Sequence, residues 1–271
     1  MSRHDLTDKE WNSIRVFLPS ERNGRAGRPW NDHRRVIDGI LWVLHVGGGW
    51  RDLPMQYGRW STVYGRFRRW CREGLWNRIM NTLLRRIDES GGIDRSLWCV
   101  DGSIVRAHRC AAGATDRERK KTDNHALGRS QGGYGTKLHI LTDACGIPLA
   151  ITATPGQNHE AKEFLHMMSC TELSLHRRKK RPQQLAGDKG YSSEKIRNWL
   201  LKRNIKPVIP TRCNEGKQPF NKRAYRKRNI VERFIGWLKE HRRIATRYDK
   251  NIDNFLAFVK IAIVRKLAKM V

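Results

Sequence analysis

Acidic residues are scarce in this chain of 271 residues: 26 Asp and Glu stand against 55 Lys and Arg, a net charge of +29. The basic excess runs along the whole sequence rather than forming a tail, so a polyanion is the expected partner, and nucleic acid is the commonest one. Long apolar runs are also missing. No stretch approaches the roughly 18 residues that a membrane span requires, and the polar start MSRHDLTDKE has no apolar signal-peptide core. The expectation is a soluble, cytoplasmic protein at the nucleoid, with no membrane partner. Paired cysteines are absent too. The six (71, 99, 110, 145, 170 and 213) stand singly without a C-x-x-C pair, which argues against a disulfide framework or a zinc ribbon. His108 and Cys110 have ligand atoms but no second pair beside them.

What is present divides into two textures. Residues 1–92 read as helices. Thr7 with Glu10 is a capping box ahead of Trp11, Ile14, Phe17 and Leu18. An apolar helix through Val36, Ile37, Ile40, Leu41, Val43 and Leu44 stops at Gly47-Gly48-Gly49. Ser61 is placed to cap a third helix, residues 61–73, which carries Arg66, Arg68, Arg69 and Arg72, and Leu75–Ile87 is a fourth. Arginines on a short helix suit a helix-turn-helix DNA-binding unit with 61–73 as recognition helix. They suit a basic bundle with solvated arginines equally well, and the sequence leaves both open.

From residue 93 to 271 strands alternate with helices. LWCVDGSIVRAH and KLHILTD are β-type runs, and Gly146 turns the second into PLAITATPG as a hairpin. HEAKEFLHMMS is helical, QQLAGD is a short strand, KIRNWLLKRN is a helix and KPVIPTR a last strand. A hairpin first and single crossovers later predict an α/β domain with a mixed sheet. Residues of about 107–135, rich in Gly, Ala and charge, read as an insertion, where Lys120, Lys121 and Arg129 are placed to meet phosphate.

The stretch Tyr225–Lys250 is read as one amphipathic helix. Offsets of seven and four return to one face, so Tyr225, Arg228 and Lys239 fall within roughly 40° of Glu232. Ile230, Val231, Phe234, Ile235, Trp237 and Leu238 fill the opposite arc. Further cations crowd the segment, Arg242, Arg243 and Arg247 among them. Asp101 follows the apolar run Leu97–Val100, and Asp188 follows Gln184–Gly187. Taken singly, each acid has a plain explanation as a turn residue or surface charge. Together, two strand-borne aspartates and one helix-borne glutamate beside cations can form a metal-binding carboxylate cluster. Cutting or joining a phosphodiester needs an activated nucleophile and charge support for the leaving oxygen, which two divalent cations about 3.5–4 Å apart supply. Carboxylate oxygens suit Mg²⁺. Asp101 fits as the bridging ligand, with Asp188 and Glu232 flanking.

Tyr225, Arg228, Glu232 and Lys239 reproduce the Y-x2-R-x3-E-x6-K signature of bacterial insertion-sequence transposases of the DDE class. VDGSIVRAH and AGDKGY resemble that class's two aspartate blocks. LTDKEWNSIRVFLP, the WRDLP segment and GRSQGGYGTKLHI resemble the family named after insertion sequence five. The resemblance covers nearly the whole chain. It implies an α+β, RNase H-like catalytic domain with a mixed β-sheet, behind a small helical DNA-binding domain. It implies Asp101, Asp188 and Glu232 as catalytic metal ligands, and two Mg²⁺ (or Mn²⁺) ions. It also implies Tyr225, Arg228 and Lys239 at DNA end phosphates, cleavage at terminal inverted repeats and transfer into target double-stranded DNA. Two ends must be held together, so a homodimer or larger assembly on DNA is expected. A non-catalytic DNA-binding relative is the alternative, which the intact acidic triad disfavours.

Overall fold

Local chemistry starts the first helix as expected. Thr7 Oγ1 accepts from the Glu10 backbone N–H at 3.3 Å, and the Glu10 carboxylate accepts from the Thr7 N–H at 2.7 Å. This opens α1 (Asp8–Arg15). Helix α2 (His33–Val46) ends where Gly47 takes φ +72°, its N–H bonding to the Val43 carbonyl at 2.9 Å. Helix α3 (Trp60–Arg72) begins one residue before Ser61, behind Arg59, with no side-chain cap. Helix α4 (Leu75–Glu89) follows. The structure, a computed structural model, describes residues 4–21, 32–111, 125–174, 181–213, 215–216 and 218–271. Lys120 and Lys121 lie outside the described residues.

The remaining elements are β1 (Trp98–Ala107), β2 (Gly128–Ser130), β3 (Gly133–Thr142), β4 (Pro148–Pro155), α5 (Glu160–Ser174), β5 (Gln184–Ala186), α6 (Glu194–Leu201) and β6 (Lys206–Val208). Then come α7 (Lys222–Arg226), α8 (Asn229–Lys239), α9 (Arg242–Ala245), β7 (Thr246–Arg247) and α10 (Ile252–Ala268). The strands form one mixed sheet, with β4–β3–β1 antiparallel and β1–β5–β6 parallel. Short β2 adds to β3, and β7 pairs with the far end of β1. The start of β1 (Trp98, Cys99, Val100) is buried, as a central strand covered on both faces must be. The expected insertion is shorter than 107–135, because β1 runs to Ala107 and residues 128–135 belong to the β2–β3 hairpin, Arg129 included.

Helix α10 is apolar around its circumference, burying Phe255, Phe258, Val259, Ile261, Ile263 and Val264, the pattern of a helix enclosed on all sides. It packs on α1, α2, α3 and α4, and also on β4. The N-terminal helices and the sheet therefore share one apolar core. Arg265 carries this closure in polar form: its Nε meets Glu10 at 3.0 Å and its Nη atoms bond the carbonyls of His4 and Asp5.

The expected single helix over 225–250 is corrected. After α7 the N–H groups of Arg228, Ile230 and Val231 bond carbonyls three residues back, tightening the chain between two helices. Helix α8 ends at Lys239, and the chain then pairs β7 with β1. That departure buries Arg247 completely. Its guanidinium donates to the carbonyls of His125, Ala126, Asp249 and Lys250 and to Thr136 Oγ1. Tertiary bonding outweighs the helical pattern here.

Candidate active site

The parallel pairing of β1 with β5 sets the site. Trp98 stands opposite Leu185 and Cys99 opposite Ala186. Asp101 lies within β1, two residues past Cys99, and Asp188 lies two residues past Ala186, just beyond the end of β5, so the parallel pairing carries both toward one region of the sheet. The Asp101 carboxylate accepts from the Gly102 N–H at 3.0 Å. Asp188 caps the tight turn Lys189–Tyr191, its Oδ1 accepting from the Gly190 N–H at 2.8 Å.

Helix α8 lies on β1 and β3, with Val231, Phe234 and Leu238 buried beneath it. Its outward stripe runs along β1. Arg228 Nη1 pairs with Asp101 Oδ2 at 3.2 Å, and its Nη2 pairs with Glu232 Oε1. Lys239 Nζ donates to the Ile104 carbonyl at 3.3 Å. Tyr225 sits one element upstream in α7, with the Arg228 guanidinium carbon 5.7 Å from its ring. The helix break therefore leaves the stripe of Tyr225, Arg228, Glu232 and Lys239 in one neighbourhood.

Burial pushes the Asp101 carboxyl above the usual carboxylate range. Arg228 and the Gly102 N–H oppose this, while Asp188 and Glu232 add to it. Burial alone would lower Arg228, yet Asp101 and Glu232 outweigh it and hold the guanidinium above its ordinary value. A cation already sits between two of the three acids. Correspondingly, no His, Cys, Asp or Glu triplet among the described residues converges closely enough to hold a metal ion with its present rotamers. The donor chemistry does fit a hard divalent cation. It offers carboxylate oxygens alone, that of Asp101 raised in proton affinity by burial and by its acidic neighbours, with a positive charge in place between Asp101 and Glu232.

One acid at the site escaped the sequence reading. Glu160, the first residue of α5, pairs with Lys137 of β3 at 3.3 Å. Burial raises its carboxyl, as does the charge of Asp188 and, further off, of Asp101. An acid opening a helix is ordinary dipole chemistry, so nothing local marked it. The signal lay in the glycines beside the two aspartates, Gly102 and Gly190, which leave the room that Glu160 enters.

The N-terminal arginines divide. Arg68 and Arg69 are exposed on α3. Arg66 is buried, its Nη1 2.9 Å from His33 Nδ1 and its guanidinium over the Trp70 ring. It is therefore not presented to DNA, which corrects the expectation for it. Arg243 is corrected likewise: it is buried, forked onto Asp249 at 3.1 and 3.2 Å and packed on Phe258. Arg242 is exposed at the start of α9. Helix α3 packs on α2, α4 and α10 rather than on the strands carrying the aspartates.

A β4–β3–β1–β5–β6 sheet with antiparallel and parallel halves, behind a helical N-terminal region, defines an RNase H-like α+β fold, with Asp101 on β1 and Asp188 just beyond β5 of its central parallel pair. The chain belongs to the transposase DDE domain family, enzymes acting on DNA, whose model matches residues 92–267. Residues 6–80 match a second model, described as putative transposase of the IS4/5 family. The putative transposase for insertion sequence element IS402 of Burkholderia cepacia is 32% identical over 158 residues, 54% of this chain and 73% of that protein. The putative transposase for insertion sequence element IS6501 of Brucella ovis is 31% identical over 130 residues, 47% of this chain and 93% of that protein. An uncharacterized protein of Sinorhizobium fredii, y4sN, is 37% identical over 110 residues, 40% of this chain and 82% of that protein. Among the described residues no helix is long and apolar enough to cross a membrane.

Proposed function

We propose that this transposase cuts double-stranded DNA at transposon terminal inverted repeats and joins the freed end to target DNA. Asp101, Asp188 and Glu232 form the catalytic centre. The reading is supported by the parallel pairing of β1 with β5 just before Asp101 and Asp188, and by Arg228 pairing with both Asp101 and Glu232. These three carboxylates would hold two Mg²⁺ (or Mn²⁺) ions, which supply an activated attacking oxygen and charge support for the leaving one.

In the first step a water oxygen bonds to phosphorus at the transposon end, and the P–O3′ bond breaks to leave a 3′-OH. In the second, that 3′-OH attacks a target phosphodiester, and a target 3′ oxygen leaves. Arg228 and Lys239 neutralise end phosphates beside the acids, and Tyr225 orients Arg228 through its ring. Without DNA, Arg228 spends its two nitrogens on Asp101 and Glu232. Residues 1–92 supply a helical DNA-binding part through Arg68 and Arg69, and Arg242 extends the basic surface. Two copies on DNA would hold the two ends together.

The test is a supercoiled plasmid carrying paired inverted repeats, incubated with protein and Mg²⁺ or Mn²⁺. End-specific nicks and joined products are expected. Cutting without any joined product would reduce the protein to a nuclease, and binding without cutting would make it a DNA-binding relative.

A further inference from the structure

Glu160 has no part in the chemistry above, yet two glycines leave room for its carboxylate. An ideal Cβ on Gly102 would stand 2.8 Å from Glu160 Oε1, and one on Gly190 would stand 2.6 Å from Oε2. Contacts under 3.0 Å force a shift, here of the Glu160 carboxylate end, so a side chain at either position would displace that carboxylate. The same Gly190 Cβ would lie 2.9 Å from Asp188 Oδ1. Oε2 of Glu160 and Oδ1 of Asp188 therefore face each other across the space of one methyl group. Lys137 balances the other oxygen, Oε1. An acid needed only for its lysine has no reason to turn its second oxygen toward a neighbouring carboxylate.

A second deficit lies beside the first. Tyr191 is fully buried, and its hydroxyl has no hydrogen-bond partner among the described residues. Burial raises the pKa of its hydroxyl, as do the charges of Glu160, Asp101 and Asp188, while Arg228 opposes them. Buried hydroxyls nearly always find partners. A hydrated divalent cation at this point supplies both the counter-charge that the facing carboxylates lack and a polar neighbour for the phenol.

We propose that Glu160 is a fourth carboxylate of the divalent-cation site, its Oε2 holding an ion together with Asp188 while Lys137 fixes Oε1. The proposal rests on the assignment of Asp101 and Asp188 as cation-holding residues. The pair of glycines is then part of the site: Gly102 and Gly190 keep open the passage through which Glu160 reaches it.

The test is Mn²⁺ titration of the full chain without DNA, following free Mn²⁺ by electron paramagnetic resonance, with no turnover involved. Glu160→Gln should weaken Mn²⁺ binding by about tenfold or more, the scale on which shell residues set metal affinity. Gly190→Ala should weaken it as well, although every carboxylate is retained, and Glu194→Gln should leave it unchanged. Melting temperatures without metal check folding, and if Glu160→Gln does not fold then Gly190→Ala decides. Wild-type affinity in both Glu160→Gln and Gly190→Ala, with loss in Asp101→Asn and Asp188→Asn, overturns the fourth ligand and leaves the site assignment standing. No Mn²⁺ binding by the wild type, or undiminished binding by the aspartate variants, overturns the assignment and Glu160 with it.

Discussion

Arg247 separates structural cations from DNA-facing ones most sharply. It is fully buried, and five acceptors receive its guanidinium: four carbonyls and Thr136 Oγ1. Arg247→Met keeps most of the volume and strands those acceptors. A hydrogen bond to a charged group is worth about 1.5–3 kcal/mol net, and an unsatisfied buried acceptor costs about 1–3 kcal/mol. Burial works the other way, lowering the Arg247 pKa to about 10, a penalty of roughly 3 kcal/mol that the methionine would escape. The bonds share one group and are not additive, so the balance is a loss of about 3–5 kcal/mol, the range for breaking a buried charged network. Urea unfolding followed by tryptophan fluorescence reads it as a lower midpoint at unchanged slope. DNA affinity of the folded variant should keep the wild-type salt slope, because no phosphate contact has gone. A midpoint shift worth under about 0.5 kcal/mol, or a slope reduced by about 0.9, would refute the assignment of Arg247 as an internal strut.

Two further predictions follow from the same geometry. Burial, with Lys137 nearby, lowers the His139 pKa to about 4, so this histidine is neutral in the folded chain. Its stabilising share is complete above the unfolded value near 6.5 and is lost as pH falls toward 4, a change of about 3 kcal/mol. His139→Gln, which can still reach Thr154, should flatten stability between pH 7 and 4 by that amount; equal pH dependence in both proteins would contradict it. For the DNA surface, six to ten phosphate contacts imply a loss of roughly 10³–10⁵ in affinity between 50 and 200 mM salt. Arg68→Gln should reduce the salt slope by about 0.9, whereas an unchanged slope would remove α3 from the interface.

Local features were legible in the sequence because their causes are local. The Thr7–Glu10 capping box and the Gly47 stop each depend on a few adjacent residues. Arg66 was legible in principle: Val63, Arg66, Phe67 and Trp70 share one helical face, and all four are buried. The arginine's charge masked the spacing, and the His33 ring and the Trp70 face meet it where it turns inward. The end of α8 was not legible, because β7 on β1 and the seat of Arg247 are contacts between distant segments. Helix α10 showed no period to read, being apolar on every side. Its packing on α1–α4 explains why the boundary at residue 92, although a real change of texture, does not interrupt the core. Glu160 stayed hidden for a similar reason, since its partners come from β1, β3 and the turn after β5.

The most direct test of the central claim is end cleavage by Asp101→Asn, Asp188→Asn and Glu232→Gln, each folded and each binding the inverted repeats. Every variant should lose metal-dependent cutting while keeping DNA affinity, because the three acids act as one unit far apart in sequence. Wild-type cutting by any one of them would contradict the account.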